Sequence, residues 1–169
     1  MTSRWFLLAP LIALFGGVFA VIGAIFEEAL HYSFFGPFIV APIVEEALKP
    51  SGVYLLLAKW PYVLRSRIYT AYLAALGGLV FAAIENALYL WVYIEDPDTT
   101  TIMVRWIAGP ILHMGCSFIV GFGINEKLLA SVKGEVPLLS GNKKFFIIPM
   151  VIHGLYNTVA VILWAIMGE

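Results

Sequence analysis

The chain has 169 residues, of which 62% are hydrophobic and 12% charged, with a formal net charge of -1. A soluble domain sits nearer half apolar and about a quarter charged, so this composition describes an integral membrane protein whose solvent is the lipid bilayer. No stretch is basic enough to neutralise several phosphates, which excludes a nucleic-acid partner, and the single cysteine, Cys116, excludes a disulfide or a cysteine-rich metal site.

Five apolar runs, roughly 5–26, 34–58, 70–94, 102–125 and 145–167, each approach the ~20 residues needed to cross a bilayer. They predict an all-α, polytopic membrane helix bundle forming one domain over residues 1–169. The first run is too long for the apolar core of a signal peptide and reads as an uncleaved span. The connections alternate in sign: Arg4 at the amino end, Lys59, Arg65 and Arg67 after the second run, and Lys127, Lys133, Lys143 and Lys144 after the fourth. The other two loops carry Glu27 and Glu28, then Glu95, Asp96 and Asp98, without lysine or arginine. The positive-inside rule therefore places the amino terminus in the cytoplasm and the carboxyl terminus outside, the parity that five spans require. Trp5, Trp60, Trp91, Trp106 and Trp164 fall near predicted span ends, as an interfacial belt would.

The second run holds Pro42-Ile-Val-Glu45-Glu46-Ala-Leu-Lys49-Pro50. Lys49 follows Glu45 by four residues and Glu46 by three, so on a helix it reaches either carboxylate. One cation then offsets one of two anions, and the other is left for a proton or a metal. Pro42 and Pro50 each remove a backbone donor, which inside a bilayer is tolerated where protein, water or a ligand satisfies the freed carbonyl. In the third run Ala74, Gly78 and Ala82 form a small-residue stripe leading onto Glu85 and Asn86, a face that permits close helix approach. The fourth carries His113, followed by Cys116 and Ser117. The fifth places His153 and Asn157 four apart, on one face. Arg105, nearer an outer boundary, reads as snorkelling or pairing with Glu95, Asp96 or Asp98, and is left outside the site.

Counted inward from the predicted outer boundaries, Glu45, Glu85, His113, His153 and Asn157 all lie about 14–21 Å deep, near the middle of a ~30 Å core. Ionisable groups cost roughly 2.5–3.5 kcal/mol each at that depth even on lenient scales, so their convergence points to function. Two readings follow: a reaction centre, or a proton- or ion-coupled transporter or channel. Relays string polar groups along the membrane normal, whereas these share one layer, which favours a reaction centre. No HExxH and no GxSxG is present, and neither Ser51 nor Ser117 is paired with a base, so zincin and serine-protease arrangements are excluded.

Four elements in order over residues 42–157 resemble the PrsW family of intramembrane proteases, relatives of the CAAX prenyl endopeptidase and bacteriocin-processing group. Glu45-Glu46-x-x-Lys49 resembles its EExxK element and Phe81-x-x-x-Glu85-Asn86 its FxxxEN element. His113 in Pro-x-x-His resembles the third, and His153-Gly-x-Tyr-Asn157 the last. CAAX-type enzymes carry an arginine after the paired glutamates and a histidine at the end of the FxxxH element, where this chain has Lys49 and Glu85, so a prenylated substrate is not implied. The resemblance implies an intramembrane endopeptidase of a prokaryotic cytoplasmic membrane, cleaving membrane-anchored proteins such as anti-sigma factors through a glutamate-activated water. In that scheme Glu45 is the general base and Glu46 a ligand or water holder. His113 and His153 complete a ligand set with Glu46 for zinc or another divalent metal, or act on the carbonyl oxygen in a metal-free glutamic mechanism. Asn157 donates to the oxyanion, Glu85 and Asn86 orient the site, and Lys49 supports it.

Overall fold

The computed structural model describes residues 3–30 and 35–167, and among them every regular element is helical. Four helices are long and apolar enough to cross a membrane: α1 (Ser3–Leu30), α4 (Arg67–Leu88, running on through a π turn at Tyr89–Tyr93), α5 (Thr99–Gly123) and α7 (Lys143–Met167). This agrees with an all-helical membrane bundle, but one expected span differs in kind. The run predicted over 34–58, whose first residue lies outside the described ones, is no continuous helix. It comprises a π turn (Gly36–Val40), α2 (Ala41–Leu48) and α3 (Ser51–Lys59).

The break has a local cause. Pro50 has no amide hydrogen to continue α2, and the amides of Val53 and Tyr54 both turn to its carbonyl at 2.8 and 3.1 Å, which starts α3 afresh. The neighbouring helices fit around this corner because Gly16 on α1 and Gly77 on α4 have no side chain to collide with the Lys49 carbonyl. Lys49 thereby ends α2 at the bundle centre.

α4 is the hub, packed most extensively against α5 and next against α1. Ala74 and Ala82 of its small-residue stripe are fully buried, and a side chain at Gly78 would collide with the His113 carbonyl of α5. The stripe therefore sets α5 close enough for Glu85 and His113 to meet. Gly154 lets α7 approach the π turn in the same way, at the Phe38 carbonyl. At the start of α1, Trp5 stacks on Trp60 with ring centroids 3.9 Å apart, and Arg65 lies 3.6 Å over the Phe6 ring. The start of α1 and the connection after α3 thus share one end of the bundle. Trp91 and Trp164 are well exposed on the outside, as belt residues are.

The connection after α5 is anchored rather than loose. Asn125 accepts from the amides of Lys127 and Leu128 at the start of α6 (Glu126–Val132), and its side chain exchanges hydrogen bonds with that of Asn142, ahead of α7.

Candidate active site

Lys49 is the centre of the polar layer. Its Nζ is fully buried, 2.7 Å from Glu46 Oε1, 3.1 Å from Glu45 Oε2 and 2.7 Å from His113 Nδ1. Both carboxylates that the spacing offered are engaged at once. The Phe81 ring closes the remaining side, with its centroid 4.3 Å from the ammonium. An ammonium has no lone pair, so His113 Nδ1 must accept, and the ring proton of neutral His113 resides on Nε2. That nitrogen donates to Glu85 Oε2 at 3.1 Å.

His153 is fixed by the same logic. Its Nδ1 lies 2.8 Å from Glu46 Oε1, an acceptor, so Nδ1 carries the proton. Nε2 is left facing Glu45 Oε2 at 3.7 Å. The two imidazoles meet edge to face with centroids 4.9 Å apart. Each histidine is thus oriented through one nitrogen by a carboxylate; the other nitrogen of His153 faces Glu45, and that of His113 accepts from Lys49. Glu45 Oε2 makes no directed hydrogen bond, and its contact with Lys49 is Coulombic.

Glu45, His113 and His153 offer ligand atoms that all lie within 4.8 Å of one another, and all three side chains are buried. The sequence had grouped Glu46 with the histidines. In the structure it is Glu45 whose carboxylate lies with the two imidazoles, while Glu46 Oε1 bonds Lys49 and His153 Nδ1. Two histidines and one carboxylate form an accepted zinc donor set, and metal-bound imidazoles generally pass their other N–H to a carboxylate, as both do here. Three carboxylates, Glu45, Glu46 and Glu85, face two fixed cations, Lys49 and Arg105. That excess of negative charge suits a divalent ion, and the residues fit such a group.

Arg105 belongs to this layer, contrary to the sequence reading. Its Nη1 lies 3.8 Å from Glu85 Oε2 and its guanidinium stacks 3.4 Å over the Tyr89 ring. The available signal was its position eight residues before His113, broadly on the same helix face. Asn86 and Asn157 do different work from the histidines. Asn86, fully buried, donates to the Arg105 carbonyl at 2.7 Å and ties α4 to α5. Asn157 donates one N–H to the Pro37 carbonyl at 2.8 Å and ties α7 to the π turn.

A buried carboxylate–histidine centre inside a helical membrane bundle supplies the groups that a membrane-embedded hydrolase uses. The chain belongs to the PrsW family of intramembrane metalloproteases, whose model matches residues 3–169. No curated protein and no solved structure matches the chain. It is accordingly a membrane-embedded peptidase, an integral membrane protein acting on membrane-anchored proteins.

Proposed function

We propose that the protein hydrolyses peptide bonds of single-pass membrane proteins at mid-membrane depth, with water activated at Glu45. The observation that carries this reading is the orientation of both histidines: Glu46 holds His153 and Glu85 holds His113, and ligand atoms of Glu45 and the two imidazoles lie within 4.8 Å of one another. Glu45 takes the proton of the attacking water and returns it to the leaving amine, the role of a general base followed by a general acid. Glu46 and Glu85 fix the imidazole tautomers, and Lys49 holds the paired glutamates at a single spacing. A divalent ion such as zinc, held by Glu45, His113 and His153, would supply Lewis acidity to the water and the scissile carbonyl. With an ion bound, Glu45 would serve as a ligand and the metal would supply the activation of the water, whereas the role of general base belongs to Glu45 in the metal-free form.

The finer expectations belong to the same proposal. The lysine- and arginine-bearing connections favour a cytoplasmic amino terminus, with the broken segment of residues 36–59 completing a fifth crossing. An anti-sigma-factor-like regulator in a prokaryotic cytoplasmic membrane is the substrate class that the motif resemblance favours. Kinship with the CAAX and bacteriocin-processing enzymes rests on the same motifs.

The test is cleavage of a labelled single-pass reporter by the protein in liposomes made in ¹⁸O-water. The expected result is ¹⁸O in the new carboxylate and loss of cleavage in Glu45→Gln. Undiminished cleavage by that variant would overturn the mechanism.

A further inference from the structure

We infer that Lys49 is a resident counter-cation, its ammonium competing with the metal for the lone pair of His113 Nδ1 and for Glu45. The inference rests on the metal-dependent reading of the site, and concerns how that site is held before an ion arrives. A neutral imidazole has one acceptor nitrogen. In His113 that nitrogen is Nδ1, and Lys49 Nζ occupies it at 2.7 Å while Nε2–H is committed to Glu85. The same ammonium lies 3.1 Å from Glu45 Oε2. Two of the three metal-competent residues are therefore already serving a cation, one that belongs to the chain. His153 Nε2 alone is left to an incoming ion, since Glu46 takes only its Nδ1.

The ammonium also has partners that do not depend on His113: Glu46 Oε1 at 2.7 Å and the Phe81 ring at 4.3 Å hold it, and they remain when the His113 lone pair is given up. Glu46 is thus both the orienter of His153 and the anchor that keeps Lys49 when the ion is bound. The benefit is that the two adjacent buried carboxylates do not face one another uncompensated. The cost is attenuated affinity, because only molecules with Lys49 withdrawn are competent to bind. If the ammonium occupies His113 about nine-tenths of the time, apparent affinity falls about tenfold.

The experiment is calorimetric titration of Zn²⁺ into the full chain, purified in detergent and stripped with chelator. Wild type is compared with Lys49→Met, with Lys49→Met/Glu46→Gln and with His113→Ala. The double variant keeps the net charge of the layer, and its glutamine carbonyl still accepts from His153 Nδ1. The expected result is about tenfold or more tighter zinc binding in the double variant at unchanged stoichiometry, with binding lost in His113→Ala. Equal or weaker affinity than wild type overturns the competition while leaving the metalloprotease reading intact. Tight binding by the double variant beside none in wild type supports the competition and contradicts metal use by the native site. No zinc in any variant, with proteolysis intact, overturns both. In unaltered protein labelled with ¹⁵N-lysine, the slowly exchanging buried ammonium signal should shift on zinc saturation, and an unchanged signal overturns the proposal without any substitution.

Discussion

His153 Nδ1 lies 2.8 Å from Glu46 Oε1, on a carboxylate that also holds Lys49 at 2.7 Å. That relationship divides the labour of two adjacent glutamates. Glu46, fully buried and doubly bonded on one oxygen, positions its neighbours, while Glu45 is the one left facing the free imidazole nitrogen.

Removing either histidine should abolish metal retention. Purified wild type is expected to hold about one zinc per chain, as a three-ligand set with an open position does. His153→Ala and His113→Ala should each hold almost none by elemental mass spectrometry. Retention by both variants would place the ion elsewhere.

Lys49→Met should lower stability by about 3–5 kcal/mol, the usual consequence of breaking a buried ion pair and leaving its partner uncompensated. The midpoint of thermal unfolding in detergent checks this. Adding Glu46→Gln should recover part of the loss, because one of the stranded charges is then gone.

Glu85→Ala should weaken zinc affinity about 10–100-fold without touching a ligand atom, since His113 loses the partner that fixes its Nε2–H. Glu85→Gln, whose carbonyl can still accept that proton, should lose less. Equal losses in the two would show that the charge of Glu85, paired with Arg105, matters more than the hydrogen bond.

Asp98 caps α5, accepting from the Thr101 amide at 2.8 Å, and that bond holds its carboxyl below the usual aspartate range. A depressed carboxyl contributes stability above the unfolded-state value and loses it as pH falls through the folded one. Thermal midpoints taken from about pH 6 down to about pH 3 should therefore converge for wild type and Asp98→Asn, the asparagine keeping a cap but no charge. A constant difference over that range would contradict the assignment.

The polar layer was legible because a membrane makes each ionisable residue conspicuous, and the spacing of Glu45, Glu46 and Lys49 correctly placed the ammonium within reach of both carboxylates. The small-residue stripe of α4 was equally readable, since Ala74, Gly78 and Ala82 have no competing role. Adjacent helical residues, however, point about 100° apart. Which glutamate meets the histidines depends on how α2 is rotated, and the packing of Gly16 and Gly77 around the Lys49 carbonyl bears on that. Pro42 and Pro50 signalled missing backbone donors but not the full restart at Ser51. The partner of Asn157, the Pro37 carbonyl, belongs to a distant irregular turn that no local pattern announces. Arg105 was assigned to acidic loop residues nearby in sequence, whereas Glu85 reaches it only after α4 and α5 pack.

The most direct measurement compares reporter cleavage in liposomes by Glu45→Gln and Glu46→Gln at matched folding, with the metal content of each variant determined alongside. With Glu45 as the base, its variant should lose about 10²–10⁴-fold in turnover. Glu46→Gln, which retains a carbonyl for His153 Nδ1, should lose only about 10–100-fold. The reverse order, with Glu45→Gln near wild type and Glu46→Gln inactive, would contradict the division of roles and with it the proposed centre.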